Sequence, residues 1–239
     1  MERLAAAVER IDGPLDDPPA LVANLRDLRR INRWLGGATL SARAVGILAG
    51  DRRPVRILDV GTGGADIPVL LLREAARRGR PTAVTAVDHR PEMRAAALAM
   101  DPGLAFERDL RYEIHDGREL PYPERSFDIA HASLLVHHLD PPDAVAVLAE
   151  LRRVSRLGVI VNDLDRSRLA LLGARLMTRT ITRAAWTRSD APLSVRRAYR
   201  PDELEAMVRA AGLRPIGRLR HRLGDRYAIV AVPAASTGG

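Results

Sequence analysis

The chain has 239 residues, of which 46% are apolar and 28% are charged, values typical of a globular protein with a hydrophobic core. It has no cysteine, and all 38 basic residues are arginine, which excludes disulfide scaffolds, thiolate metal sites, cysteine nucleophiles and P-loop or Schiff-base lysines. No apolar run reaches the ~18 residues that a membrane span needs. The first thirty residues are charged throughout and lack a signal-peptide core, so we expect a cytoplasmic protein.

The positive charge is concentrated in the second part of the chain. Residues 151–239 hold 18 arginines against 7 acidic residues, whereas residues 1–150 have a small acidic excess. A basic half raises the question of a nucleic-acid partner. Only 2 Trp, 4 Tyr and 2 Phe are available to stack on bases, and no compact arginine tract occurs. The composition therefore argues against nucleic acid as the partner.

The first fifty residues show helical spacing of apolar side chains. The pattern covers residues 1–12, 21–35 and 41–49. Gly13-Pro14 and Gly36-Gly37 separate these segments. We therefore expect residues 1–50 to form a helical cap on a second unit, residues 51–239.

From residue 55 onward, strand and helix patterns alternate. Strands are predicted at 55–60, 83–87, 111–115, 127–132 and 158–161, and helices at 67–78, 92–100 and 143–154. This order is typical of a parallel sheet with helices on both faces, whose strands all end at one edge. A helical insertion at about 166–190, a helix at 201–212 and a final hairpin complete the prediction.

A glycine-rich turn follows the first strand of this alternation. The run Asp59-Val60-Gly61-Thr62-Gly63-Gly64 leads directly into a helix, and a second acidic residue, Asp88, ends the next predicted strand. Glycines allow a ligand to approach the backbone closely. A dinucleotide site requires glycine or alanine where Asp66 stands, and that carboxylate would repel a pyrophosphate. The turn therefore predicts a cationic or uncharged ligand.

Three runs of residues resemble the successive motifs of the class I S-adenosylmethionine-dependent methyltransferases. They are ILDVGTGGADIP, AVDHRPEM and HDGRELPYPERSFDIAHASLLVHHL. The likeness covers residues 55–165 and continues more loosely through 199–213. It is greatest to the small-molecule branch that includes the quinone-biosynthesis C-methyltransferases. The resemblance implies an α/β, Rossmann-like seven-stranded sheet, mostly parallel with one antiparallel strand, and S-adenosylmethionine as the cofactor.

The matching positions imply how that cofactor is bound. The methionine end is assigned to Asp59 and the stretch from Ala132 to Leu135, the ribose to Asp88 beside Gly61, Thr62 and Gly63, and the adenine to His89, Met93, Asp116 and Gly117. The sequence departs from the family pattern at Ala65, which replaces the third glycine of the usual loop.

Methyl transfer requires at most one base from the protein, because positioning and desolvation supply most of the acceleration. His137 and His138 directly follow the fourth predicted strand and are the candidates. Adjacent side chains point in different directions, so at least one of them is expected to be structural. Asp163, after the fifth strand, either orients the acceptor or caps the next helix. His131 is expected in the core, and no His and carboxylate spacing predicts a metal site.

The insertion carries an apolar stripe that includes Met177 and Trp186. It is either simple core packing or a lid that walls an acceptor pocket. We expect an enzyme that methylates an oxygen or carbon atom of a small, aromatic or lipid-like acceptor, as a monomer or homodimer. An RNA or protein methyltransferase of the same fold, or a non-catalytic cofactor-binding protein, remains the alternative.

Overall fold

The computed structural model describes residues 1–34 and 36–235. Leu35, the last residue of the second helical pattern, lies outside that range. Within it the elements follow in chain order: α1 (Pro18–Trp34), α2 (Gly37–Ala49), β1 (Val55–Val60), α3 (Asp66–Arg77), β2 (Thr82–Asp88), α4 (Pro91–Met100), β3 (Leu110–Ile114), β4 (Phe127–Ser133), α5 (Pro141–Val154), β5 (Ser155–Leu164), α6 (Arg168–Thr180), α7 (Ala185–Arg197), α8 (Pro201–Ala210), β6 (Leu213–Arg220) and β7 (Arg226–Pro233).

The seven strands form one sheet in the order β3-β2-β1-β4-β5-β7-β6. Strands β1 to β5 pair in parallel, and β7 runs antiparallel to both β5 and β6. The predicted fold class, including its single antiparallel strand, is confirmed. Because β1, β2, β4 and β5 all end at the same edge, the residues that follow them are brought together there.

Helices cover both faces of the sheet, so its central strands are buried on both sides. On one face α5 and α8 pack through residues such as Leu148 and Leu204. On the other face α2 and α3 pack through residues such as Leu48 and Leu71. The two layers fix the ends of the strands and hence the edge where the site lies.

The prediction of a helix in residues 1–12 is wrong. Only a 3-10 turn, Arg10–Asp12, forms there, and the rest of the segment is irregular. A short isolated helix is marginally stable in water, because nucleation is unfavourable and few hydrogen bonds follow. Tertiary contacts hold this segment instead. Arg3 donates to the carbonyls of Leu139 and Arg197 at 2.9 and 2.7 Å, so residues 1–17 lie as a strap against the rest of the fold.

The insertion after β5 is helical, as predicted, but it extends further. It consists of α6 and α7, and α7 continues to Arg197 rather than ending near residue 190. The two helices pack on each other, and α7 also packs on α1. Among the described residues, none of the helices combines the length and the apolar character needed to cross a bilayer.

Candidate active site

A cavity of about 920 Å³ opens at the edge where the parallel strands end. Asp59, Asp88 and Ser133, at the ends of β1, β2 and β4, line its floor. Residues of α1, α6, α7 and the strap form its walls. Small-molecule sites occupy about 300–1,000 Å³, so this cavity is at the large end of that range.

The turn between β1 and α3 brings backbone to the cavity. Gly61 and Gly63 have φ values of 72° and 52°, which glycine adopts without strain. A Cβ on Gly61 would lie 2.8 Å from Cδ1 of Leu135, so the close approach also requires glycine. Ala65, the departure from the family pattern, has the same left-handed conformation, with φ of 54°. The alanine at this position therefore keeps the left-handed backbone conformation that a glycine would adopt.

Asp88 faces the cavity from the end of β2. Its two carboxylate oxygens accept the backbone N–H groups of Gly63 and Arg90 at 2.9 and 3.1 Å. Burial raises the pKa of Asp88, more than these two hydrogen bonds lower it. A carboxylate has about four acceptor positions, so two remain for hydroxyl groups of a ligand. The glycine turn and the carboxylate thus form one preorganised unit.

The four residues assigned to the adenine all line the cavity, on its β2–β3 side. His89 is exposed, and Met93 is buried between α1 and α4 against Leu25. Asp116 is bound by Arg118 at 2.8 Å. A Cβ on Gly117 would lie 2.8 Å from Val60, so this position also needs glycine.

Ala132 does not reach the cavity. Its side chain is fully buried, because it lies within β4 and belongs to the core on the face covered by α5 and α8. Ser133, Leu134 and Leu135 of the same predicted stretch do line the cavity. The assignment of Ala132 to the cofactor is therefore corrected to the residues that follow it.

Asp59 is held by a buried polar network. Its Oδ1 lies 2.5 Å from Nδ1 of His131, and Nε2 of that ring lies 2.8 Å from Oγ of Ser41. Asn162 donates to the same Oγ at 2.8 Å. His131 is fully buried, as expected, and connects the end of β1 to α2. The network fixes the Asp59 carboxylate at the cavity floor.

His137 and Asp163 form a pair at the cavity wall. Nδ1 of His137 lies 2.6 Å from Oδ1 of Asp163, whose Oδ2 accepts the backbone N–H of His137 at 3.1 Å. Burial alone would raise the pKa of Asp163, but the charge of His137 and the hydrogen bond from its ring lower it below the ordinary value. When the ring is neutral, an ionised Asp163 holds its remaining proton on Nδ1, so the lone pair lies on Nε2.

Asp163 itself does not line the cavity, although His137 does. The carboxylate therefore meets the site through His137, and its expected role in orienting the acceptor stays a prediction. Its oxygens are used by His137 and by the backbone N–H of Leu164, 2.8 Å away. Ser167, not Asp163, caps α6.

A second acidic group approaches the histidines from the strap. Oε1 of Glu9 lies 3.9 Å from Nε2 of His137 and 3.9 Å from Nδ1 of His138, and Oδ1 of Asp12 lies 2.7 Å from that Nδ1. Burial raises the pKa of Glu9. The sequence predicts no metal site. The structure nevertheless brings together three potential ligands, Glu9, His137 and His138, whose ligand atoms lie within 4.8 Å of one another.

The cluster already contains a cation. Arg197 lies 3.4 Å from the same Oε1 of Glu9 and also pairs with Asp12. Its Nη2 donates to the carbonyl of His138 at 2.8 Å. The guanidinium therefore competes directly with a metal ion for the carboxylates of the strap.

Arg226 places a buried guanidinium at the cavity. Its side chain is 2% exposed, and Nη1 donates to Oδ1 of Asn32 at 2.8 Å, while Nε has no partner in the described part of the chain. Burial lowers the pKa of Arg226, against the charges of Asp225, Asp163 and Asp66. A buried cation is costly unless it is paired, so this group is suited to bind an anionic part of a ligand.

Of the three residues assigned to the acceptor pocket, only Met177 lines the cavity. Trp186 packs instead against the cluster that contains Leu21, Leu25 and Met93. The reason is that α7, which begins at Ala185, turns back toward α1 after α6 ends. The wall of the pocket is formed by α6, with Leu169, Leu172 and Leu176 at the opening.

Sequence reasoning missed Glu9, Asp12, Arg197 and Arg226. Glu9 and Asp12 fall in the segment 1–12, where the sequence predicts a helix that does not form. Arg226 was one of 38 arginines, and nothing local marked it as buried. Its position at the start of the final strand, beside the β5 end, was the only available signal.

Comparison with known proteins agrees with this architecture. A family profile described as "Methyltransferase domain" matches residues 57–158. A ubiquinone/menaquinone biosynthesis C-methyltransferase of Rickettsia akari is 34% identical over 98 residues, covering 41% of this chain and 39% of that protein. A phosphatidylethanolamine N-methyltransferase of Cereibacter sphaeroides is 35% identical over 119 residues, covering 47% and 53%. The chain thus spans about two-fifths to one-half of the length of these relatives.

Solved structures share the fold at low identity. Human N-acetylserotonin methyltransferase superposes with a TM-score of 0.65 at 15% identity, covering 94% of this chain and 61% of that one. A methyltransferase of Aquifex aeolicus superposes with a TM-score of 0.61 at 19% identity, covering 90% and 97%. The profile match therefore shows a methyltransferase domain at residues 57–158, and the superpositions show that the chain shares the fold of known methyltransferases.

Proposed function

We propose that this chain transfers the methyl group of S-adenosylmethionine to an oxygen or carbon atom of a small apolar acceptor, aromatic or lipid-like. The observation that carries the proposal is the single cavity that joins Asp88, at one end, to His137, backed by Asp163, at the other. One end has the groups that suit a nucleoside, and the other has a base beside an apolar wall.

The residues present fit the cofactor. Besides the free acceptor positions on Asp88, the buried hydroxyls of Thr62 and Ser133 line the cavity and have no partner among the described residues. Buried polar groups are nearly always hydrogen-bonded, so these two hydroxyls are suited to form hydrogen bonds with a bound ligand. Asp88 would hold the ribose hydroxyls, and Arg226 would hold the carboxylate of the methionine part. When bound, S-adenosylmethionine supplies an electrophilic methyl group on a sulfonium centre.

The acidic groups suit the positive charge of that ligand. Asp59 and Asp66 lie at the cavity floor, and Asn32 donates to Asp66 at 3.0 Å. Burial raises the pKa of Asp66 and the neighbouring Asp59 adds to this, so a positively charged ligand beside it would favour the ionised form. Charged oxygens attract a cation strongly in such a poorly solvated cavity, whereas they would repel phosphates.

His137 supplies the base. Asp163 fixes the imidazole with its proton on Nδ1, so Nε2 is directed to accept the proton that leaves an acceptor hydroxyl or an activated carbon. Glu9, 3.9 Å from Nε2, stabilises the imidazolium that results. His138 is occupied by Asp12 and the strap, which favours His137 as the base.

Part of the wall of the acceptor end is apolar. Leu135, Leu139 and Met177 line it together with the leucines of α6. Apolar walls favour an acceptor that carries few charges and exclude water from the transfer. The relatives named above are a C-methyltransferase of ubiquinone and menaquinone biosynthesis and a phosphatidylethanolamine N-methyltransferase by their names, which supports an acceptor of this class.

The proposal is tested by transfer of a labelled methyl group to a panel of phenols, quinols and phospholipids, detected by mass spectrometry. We expect label on at least one apolar phenol or quinol, and none with the Asp88→Ala variant. Label that appears only on RNA or protein added as a competitor would overturn the choice of acceptor. A chain that binds S-adenosylhomocysteine but labels nothing in any class would overturn the enzymatic role itself.

A further inference from the structure

Helix α6 presents a row of exposed leucines. Leu169, Leu172 and Leu176 are 63%, 64% and 63% exposed and follow the i, i+3, i+7 spacing of one helix face. Leu223, in the turn between β6 and β7, is 59% exposed and lines the same cavity mouth. The buried face of α6, Ala170, Ala174 and Thr178, is the one that packs on the protein. An exposed apolar cluster of this kind marks an interaction surface.

A row of arginines runs beside the leucines. Arg168, Arg175 and Arg179 are exposed on α6, and no described carboxylate forms an ion pair with them. By contrast Arg166, just before the helix, pairs with Glu203. Residues 167–189 contain five arginines and no acidic residue, and Arg222 adjoins Leu223. The surface therefore combines an apolar row with uncompensated positive charge.

We propose that this face of α6, with the Leu223 turn, docks onto the surface of an anionic phospholipid bilayer. This inference rests on the proposed function, since it places the mouth of the cavity where an apolar acceptor is dissolved. Amphipathic helices of this composition lie in the membrane interface, with leucines among the acyl chains and arginines at the headgroups. The leucines insert, and the arginines bind lipid phosphates.

The combination of rows favours a bilayer over other occupants. A symmetric pair of chains would bring the two arginine rows close together, and four leucines expose less than the ~800 Å² per partner that a stable interface needs. RNA would use the arginines but gain nothing from the leucines. An anionic bilayer offers acyl chains to the leucines and phosphate groups to the arginines.

The test is co-sedimentation of the full chain with vesicles of phosphatidylcholine alone and with vesicles that contain about one-third phosphatidylglycerol. We expect binding to the anionic vesicles that weakens with salt, and little binding to phosphatidylcholine. The Arg168→Gln/Arg175→Gln/Arg179→Gln variant should bind roughly a hundredfold more weakly, since each arginine near such a surface contributes about fivefold. The Leu169→Ser/Leu172→Ser/Leu176→Ser variant should also lose binding.

The control is Phe106→Ser, which removes an 85% exposed side chain in the short turn before β3. It should bind vesicles like the parent. Equal loss in this control, or no binding to anionic vesicles at low salt, would overturn the proposal. So would leucine variants that keep vesicle binding, or that only convert a dimer to a monomer. Vesicle binding needs no methyl acceptor, so its failure is distinct from failure of the proposed reaction.

Discussion

Asp163 on β5 binds His137 twice, through its ring nitrogen Nδ1 at 2.6 Å and through its backbone N–H at 3.1 Å. The two residues are 26 positions apart in the sequence and meet because β4 and β5 are paired, with Ser133 opposite Asn162. The sheet register thus determines the orientation of the imidazole. The ring cannot turn without breaking a buried hydrogen bond.

We expect His137→Gln to lower kcat by about 10² to 10⁴, the usual contribution of a general base. Affinity for S-adenosylhomocysteine should stay unchanged, because the side chain lies at the acceptor end. Turnover is measured on an acceptor identified from the panel, and cofactor affinity by calorimetry. His138→Gln is the matched control and should cost much less. Full turnover in both variants would leave positioning alone as the source of catalysis.

Asp88→Ala should weaken binding of S-adenosylhomocysteine by about 1–3 kcal/mol, the cost of a lost charged acceptor. The substitution also frees the N–H groups of Gly63 and Arg90, so the glycine turn loses a support. Glu92→Gln, an exposed acidic residue at the start of α4, is the control. Calorimetric titration that gives equal affinities for Asp88→Ala and the parent would contradict the ribose assignment.

Asp163→Asn should change the dependence of stability on pH. The pKa of Asp163 is lowered in the fold, because the charge and hydrogen bond of His137 outweigh burial. The ionised carboxylate therefore adds to the free energy of unfolding above about pH 4, the ordinary range, and adds less as the pH falls below it.

We accordingly expect urea unfolding to show Asp163→Asn less stable than the parent by about 1.5–3 kcal/mol at pH 7. The difference should shrink toward pH 3. Asp140→Asn, an exposed residue three positions after His137 in the chain, serves as the reference and should show no such trend. A difference that is constant with pH would show that ionisation of Asp163 is not what stabilises the pair.

Transfer should be insensitive to EDTA. The histidine and carboxylate cluster has ligand atoms close enough for a metal ion, but Arg197 lies 3.4 Å from the Glu9 oxygen that faces both rings. A guanidinium at that oxygen repels a divalent cation. Activity that is lost on chelation and restored by Mg²⁺ or Zn²⁺ would reverse this expectation.

Local signals explain why much of the fold was predictable. The strand, glycine turn and helix around Gly61 are adjacent in sequence, and alternation of such units fixes a parallel sheet. Asp88 was found because it ends the next strand. These features depend on spacing within about thirty residues, which a single sequence displays directly.

Long-range contacts explain what was missed. Ser194 donates to Glu9 across 185 residues, and Arg226 to Asn32 across 194. Neither pairing produces a periodic pattern in the sequence, because each depends on where the strap and the final strand pack in the folded protein. The direction of Asp163 and the position of Trp186 likewise follow from packing between elements, which spacing alone does not determine.

Arg226→Met tests which part of the cofactor this buried cation binds. Methionine is unbranched and uncharged but shorter, so the variant keeps an apolar stem and removes the guanidinium that lies beside Gly37 and Asn32. If Arg226 binds the carboxylate of the methionine part, affinity for S-adenosylhomocysteine should fall by about 1.5–3 kcal/mol. Affinity for methylthioadenosine, which lacks that carboxylate, should not fall.

The matched control is Arg118→Met, an exposed arginine at the other end of the cavity that pairs with Asp116. It should leave the ratio of the two affinities as it is in the parent. An equal loss for both ligands in Arg226→Met would indicate that the guanidinium supports the fold around α1 rather than the ligand. The variant also removes a buried charge that is incompletely paired. Its free energy of unfolding should therefore fall less than it would on removal of a well-paired buried arginine.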